Sequence, residues 1–210
     1  MAEKLNIAVL ASGKGSNLRA ILNAIQDGSL CNAAIAVVIS NNSDAGALEI
    51  AREYRIPAVH LSRKQFSADE SFNNELLKTL ENYNVNFIAL AGYMKKVDAA
   101  IILRFRNRIV NIHPALLPAF GGNGMYGMHV HEAVISQKAA ISGATVHIVD
   151  EEYDRGPIVL QKIVAVAPDE TPETLAEKVL KLEHELYPEA IRLFAEGNIK
   201  LNSQPVEIVK

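Results

Sequence analysis

The chain reads as an α/β protein built on an open, mostly parallel sheet with an antiparallel C-terminal extension. Three observations predict this. Short apolar runs alternate with helical periodicity through the first half, and a glycine-rich turn joins the first run to the first helix. Near residue 150, two longer apolar runs are separated by a stretch too short to hold a crossover helix, which makes them an antiparallel pair. The arrangement is Rossmann-like in its first half.

Leu5–Ala11 is a short apolar run, as a strand buried on both faces requires. Leu18, Ile21, Leu22 and Ile25 then recur at helical spacing, and Gly28 ends that helix. Ala33–Ser40 is a second buried strand, Ala45–Tyr54 a helix, Ala58–Leu61 a short strand and Ala68–Asn82 a helix. Phe87–Ala91 and Ile109–Ile112 complete five strands. The glycine-rich segment Ala119–Met128 leads into a helix near Val130–Lys138, and Ala144–Val149 and Ile158–Ala167 form the antiparallel pair. Thr171 caps a long helix with Pro172 in its first position, which ends at Gly197. No linker or repeat divides the chain. The reading is one domain over 1–210, with 1–112 a phosphate-binding βα half and 113–210 the remainder.

Composition narrows the function. With 49% hydrophobic and 21% charged residues, the 210-residue chain is ordinary globular-enzyme stock. A net charge of −3 disfavours nucleic acid and membrane surfaces as partners. Cys31 is the only cysteine, so an internal disulfide and a thiolate metal cage are both excluded. The apolar start is interrupted at Ser12-Gly13-Lys14, too early for a signal peptide, and the expected location is cytoplasmic.

Three segments could carry chemistry. Ser12-Gly13-Lys14-Gly15-Ser16-Asn17 lies between the first strand and first helix, where free N–H groups and the helix dipole favour an anion. It lacks the third glycine of a dinucleotide fingerprint and the spacing of a Walker loop, so a single phosphate fits it best; the alternative is an ordinary tight turn. Asn111 and His113 share a strand face at a sheet's carboxyl end, where both could donate to one oxyanion, although a lone histidine there is often structural. Asp154 could tune or relay protons for His113, or be a solvated turn acid. His129, His131 and His147 raise a zinc site, which the lack of cysteine and of HExxH disfavours; no metal is expected.

Together these segments resemble the folate-dependent phosphoribosylglycinamide formyltransferases over nearly the whole chain. The resemblance rests on Gly15-Ser16-Asn17, Leu90-Ala91-Gly92-Tyr93-Met94, Asn111 to Pro118, Gly143 to His147, Asp154-x-Gly156-Pro157 with Gln161, and Glu183-His184-x-x-Tyr187-Pro188. It implies the formyltransferase fold and a reaction between glycinamide ribonucleotide and the co-substrate 10-formyltetrahydrofolate. It further implies Asn111, His113 and Asp154 as the catalytic trio, Gly15, Ser16 and Asn17 at the substrate phosphate, and Glu183 on the ribonucleotide. Met94, Lys95, Lys96, Val97, Asn111, Glu151, Glu152, Tyr153 and Arg155 are implied at the folate. The implied mechanism is direct attack of the amine on the formyl carbon, with Asn111 and a protonated His113 on the oxyanion and Asp154 keeping His113 charged. A monomer or homodimer is expected. The sequence departs from the family pattern at Lys95-Lys96-Val97, at Asp69, where some relatives carry a folate-facing arginine, and in the longer Ala119–Met128 loop. That loop, with Phe120, Met125, Tyr126 and Met128 among four glycines, reads as a lid. Against a methionyl-tRNA formyltransferase stand the negative charge and the short stretch after the long helix. Against a formyltetrahydrofolate hydrolase stands a first strand that opens at Leu5. A non-catalytic nucleotide-binding module would leave Asn111, His113 and Asp154 without a reason to coexist.

Overall fold

Alternation along the central strands sorts their side chains into two cores. Ile7, Val9, Phe87 and Ala89 join one, and Ala8, Leu10, Ile88 and Leu90 the other. Every one of these residues is buried, which explains why the strands read as continuous apolar runs. The structure is a computed structural model and describes residues 3–200 and 207–208.

The elements are β1 (Leu5–Leu10), α1 (Ser16–Gln26), β2 (Ala33–Ser40), α2 (Gly46–Glu53), β3 (Ala58–His60), a 3-10 turn (Arg63–Gln65), α3 (Asp69–Asn82), β4 (Phe87–Leu90), α4 (Ala99–Arg104), β5 (Ile109–His113), α5 (Met128–Ser136), β6 (Ile141–Ile148), β7 (Ile158–Ala165), α6 (Pro172–Ala195), β8 (Ile199–Lys200) and β9 (Glu207–Ile208). The main sheet has the order β3-β2-β1-β4-β5-β6-β7. Strands β1 to β5 are parallel, and β6 and β7 pair antiparallel, as expected.

Four details differ from the sequence reading. α5 begins at Met128, two residues before the expected start. β6 begins at Ile141, because Gly143 can pass close to its neighbour; a Cβ there would sit 2.0 Å from the Lys162 carbonyl oxygen. α4 is a six-residue helix capped by Asp98, too short to leave a periodic signature. β8 and β9, of two residues each, gave no signal at all.

The chain leaves β1 toward β2 on one side, while β4 lies on the other, which opens a crevice at the carboxyl ends. Ser12 bridges that crevice. Its N–H bonds the Gly92 carbonyl at 3.0 Å, and its hydroxyl accepts from the Met94 N–H at 2.8 Å. Tyr187 of α6 pins the sheet from below, its buried hydroxyl 2.9 Å from the Leu90 carbonyl and 3.1 Å from that of Val110. No helix among the described residues is long and apolar enough to cross a membrane.

Candidate active site

The register of β5 against β6 sets His147 opposite Asn111 and Thr145 opposite His113. The loop after β6 then carries Asp154 over both histidines. Asp154 Oδ2 lies 3.6 Å from His113 Nδ1, and Oδ1 lies 3.5 Å from His147 Nε2. His147 Nδ1 is 2.9 Å from the Ile148 carbonyl, which makes it the protonated nitrogen and turns Nε2 toward Asn111 Nδ2 at 3.1 Å. The expected trio therefore comes together, but through a fourth group. Sequence reading had weighed His147 only as a zinc ligand. The strand pairing that sets it opposite Asn111 was the signal that could have found it.

The loop following β5 is fixed by hydrogen bonds from β6 and β7. Thr145 Oγ1 donates to the Ala115 carbonyl at 2.6 Å and accepts from the Leu117 N–H at 3.1 Å. Gln161 Nε2 donates to the Leu117 carbonyl at 2.8 Å and to Thr145 Oγ1 at 2.9 Å. These bonds satisfy a buried turn and hold His113 on rigid backbone. Gly156 lets the Asp154 loop turn back against β6, since a Cβ there would sit 1.9 Å from the Ile148 carbonyl oxygen.

The Ala119–Met128 loop lies against His113 and Asp154. His113 Nε2 donates to the Phe120 carbonyl at 2.8 Å, and the Gly122 N–H donates to Asp154 Oδ2 at 2.8 Å. Phe120 (φ 56°) and Asp154 (φ 55°) both occupy the left-handed region, a strained choice for such residues.

Burial dominates the electrostatics. It pushes the His113 pKa below its ordinary value, and the opposing pull of Asp154 and of the Phe120 carbonyl does not restore it; His147 adds a small push the same way. Against the expectation that Asp154 keeps His113 charged, desolvation outweighs the carboxylate and favours the neutral ring in the absence of ligand. Asp154 itself is pushed up by burial. The neighbouring His147 and His113 rings and the Gly122 N–H outweigh that and hold it below the usual carboxylate value. His131, buried nearby on α5, is lowered by burial and by His113. Among the described residues no group of three or more His, Cys, Asp or Glu side chains could hold a metal.

Two depressions are present, and none of Asn111, His113, His147 and Asp154 lines either of them. The first, of about 640 Å³, takes in Lys14, Ser16, Arg19 and His184 between α1 and α6. Gly15 caps α1 at φ 79°, with its Cβ position 2.8 Å from Ala47 Cα, so only glycine fits there. Asn17 departs from expectation. Its Nδ2 donates one N–H to Glu183 Oε2 at 2.7 Å, which ties the side chain to α6 and leaves the second amide N–H and the backbone N–H as donors. Glu183, 8% exposed, is pushed up to about 7 by burial against the pull of that hydrogen bond.

The second depression, of about 990 Å³, runs past the ends of β1 to β4. Lys95, Lys96, Val97 and Glu151 line it as expected, whereas Met94, Asn111, Glu152, Tyr153 and Arg155 do not. Tyr153 instead sits under Lys96, whose Nζ is 5.4 Å from the ring centre, so the pair borders the cleft. Asp69, in the place of a family arginine, pairs with Arg63, and both line the cleft; a guanidinium is still present on this wall.

Residues 5–191 match the formyl transferase family. The chain belongs to that family. A chloroplastic phosphoribosylglycinamide formyltransferase of Arabidopsis thaliana is 42% identical over 205 residues, covering 97% of this chain and 70% of the relative. The structure of glycinamide ribonucleotide transformylase 1 from Symbiobacterium toebii superposes with a TM-score of 0.92 at 40% identity, over 98% of this chain and 94% of that one. A formyltetrahydrofolate deformylase from Pseudomonas syringae superposes at 0.89 over the whole of this chain and 67% of its own, and at 22% identity that likeness shows the fold alone. Within the family, this formyltransferase stands with the phosphoribosylglycinamide formyltransferases.

Proposed function

We propose that this formyltransferase moves the formyl group of 10-formyltetrahydrofolate to the amine of glycinamide ribonucleotide, in purine synthesis. The observation that carries the reading is the Asn111–His147–Asp154–His113 cluster, together with a helix N-terminus suited to phosphate and a long mixed cleft. The cleft has the size of a pocket for a drug-sized molecule. Phe72, Tyr93, Val97 and Ile102 offer apolar wall to flat rings, and Arg63, Lys64, Lys95 and Lys96 offer cations to carboxylates.

Each residue then has a task. The α1 N-terminus, with Ser16 and the backbone of Gly15 and Asn17, takes the phosphate; Glu183 takes ribonucleotide donors. The amine nitrogen bonds the formyl carbon, the bond from that carbon to N10 breaks, and one proton passes from the amine to N10. Asn111 Nδ2 and the neutral imidazole of His113, donating through Nε2–H, stabilise the charge that develops on the formyl oxygen. For that, His113 must release the Phe120 carbonyl. Asp154, ionised at neutral pH, receives the amine proton through water and returns it to N10.

A formyl-transfer assay with both substrates tests this, with N-formylated ribonucleotide and tetrahydrofolate expected in equal amounts. Release of formate without formylated nucleotide would mean that water is the acceptor, and the transferase reading would fail.

A further inference from the structure

Ser12 stands at the joint between the two depressions, and the reaction above gives it no task. It lines the larger depression itself, while Lys14 and Ser16, next along the same loop, line the smaller. Three strand ends meet on it. It follows β1, its hydroxyl donates to Asn41 Oδ1 just past β2, and its bonds to Gly92 and Met94 reach the loop after β4. A hydroxyl has one proton and two lone pairs. Asn41 takes the proton, which turns a lone pair toward the Met94 N–H. The Asn41 turn is itself fixed, the Asn42 N–H donating to Ser40 Oγ at 3.1 Å and the Ala45 N–H to the Asn42 carbonyl at 3.3 Å.

The loop on the β4 side has little else to hold it. From Gly92 to Val97, among the described residues, the backbone groups that hydrogen-bond the rest of the protein are the Gly92 carbonyl and the Met94 N–H, and both partners are atoms of Ser12. Lys95, Lys96 and Val97 of this loop line the larger depression. On the other side of Ser12 the chain is anchored independently, with the Ala47 N–H donating to the Gly13 carbonyl at 3.1 Å and Gly15 close against Ala47.

We propose that Ser12 is a positioning residue that couples the two sites: a ligand at either end steadies Ser12, and through it the binding surface at the other end. This rests on the two depressions being the nucleotide and folate ends. Each ligand restrains the backbone on its own side. Part of that lost entropy is common to both, because Ser12 belongs to one loop by covalent bonds and holds the other by hydrogen bonds. The ligand that arrives second meets a loop already restrained and binds more tightly. Linkage makes the factor the same in either order.

Calorimetry tests this with glycinamide ribonucleotide and a non-hydrolysable folate analogue, each alone and each with the other saturating, on wild type, Ser12→Ala and Ser12→Thr. In wild type each ligand should raise the affinity of the other by one shared factor, about fivefold or more. In Ser12→Ala the nucleotide alone should bind within about threefold of wild type while the shared factor falls toward one. Ser12→Thr keeps the hydroxyl and should restore the factor. A merely structural Ser12 would weaken each ligand alone and leave the factor intact; direct contact between the two ligands would also leave it intact. Hydrogen exchange in wild type needs no variant to fold, and nucleotide alone should slow exchange of the Met94 amide. A factor unchanged in Ser12→Ala, or a Met94 amide whose exchange the nucleotide does not alter, overturns the proposal. Failure of wild type to bind either ligand alone would instead overturn the reading of the two ends, and the coupling with it.

Discussion

His113 is 3% exposed, and its one donated hydrogen bond goes to a loop carbonyl, so replacing it removes a donor from the site and leaves a small cavity whose cost a thermal melt would register. His113→Ala should lower kcat by at least roughly 10² with folding intact. Turnover near wild type would remove the imidazole from the mechanism. The charge on Asp154 raises the His113 pKa, although burial outweighs it. Asp154→Asn should therefore move the His113 pKa further down, by NMR titration, and an unchanged pKa would leave proton relay as the only task of the carboxylate. Glu183 gives a stability signature of the opposite kind from a salt-bridged acid. Its folded pKa of about 7 lies above the unfolded value, so the native state binds the extra proton between these values. Stability should fall as pH rises across that window, by at most about 3 kcal/mol, and level off above it. Glu183→Gln should flatten this slope in denaturant titrations run from pH 4.5 to 8.

At the scale of elements, the Ala119–Met128 loop is the part whose placement matters most. It occupies hydrogen-bonding groups of His113 and Asp154, and under the proposed mechanism substrate displaces or reorders it. Limited proteolysis should cut between Phe120 and Met128 quickly in the free protein and slowly with nucleotide plus a non-hydrolysable folate analogue bound. Equal resistance in both states would make the loop a fixed cover. Four glycines mixed with apolar side chains are what the sequence shows of this loop; its bonds to His113 and Asp154 leave no trace there, because they run from backbone groups that carry no sequence signature. The same limit hides the bond from Asn17 to Glu183. Sequence places the residue on the first turn of α1, but only the packing of α6 against α1 decides where its amide points.

For the whole molecule, the order of strands and helices followed from apolar runs and helical spacing, since a two-sided core demands both. Asn111, His113 and Asp154 were legible as candidates because they sit at strand ends and turns, where a polar side chain interrupts an apolar pattern. His147 was hidden: inside a buried strand, its role depends on the register with β5, which a linear reading does not contain. The two depressions share no lining residue, which predicts separable binding. Ser16→Ala should weaken nucleotide binding by about tenfold and leave the folate affinity within about twofold, measured by calorimetry on each ligand alone. An equal loss for both would mean that the loop supports the entire crevice.

The hydrogen bond from Asn17 to Glu183 joins residues 166 positions apart, and the Tyr187 hydroxyl reaches back to strands laid down long before it. During synthesis, then, the amino-terminal half can arrange its parallel strands while the nucleotide end of the crevice still lacks a wall. That wall arrives with α6, which follows every strand of the main sheet along the chain, so a chain halted before it should bind no nucleotide however well its sheet has formed. Completion of the site is a late event in the life of the chain, and a nucleotide present as α6 docks would select the molecules in which it has docked correctly.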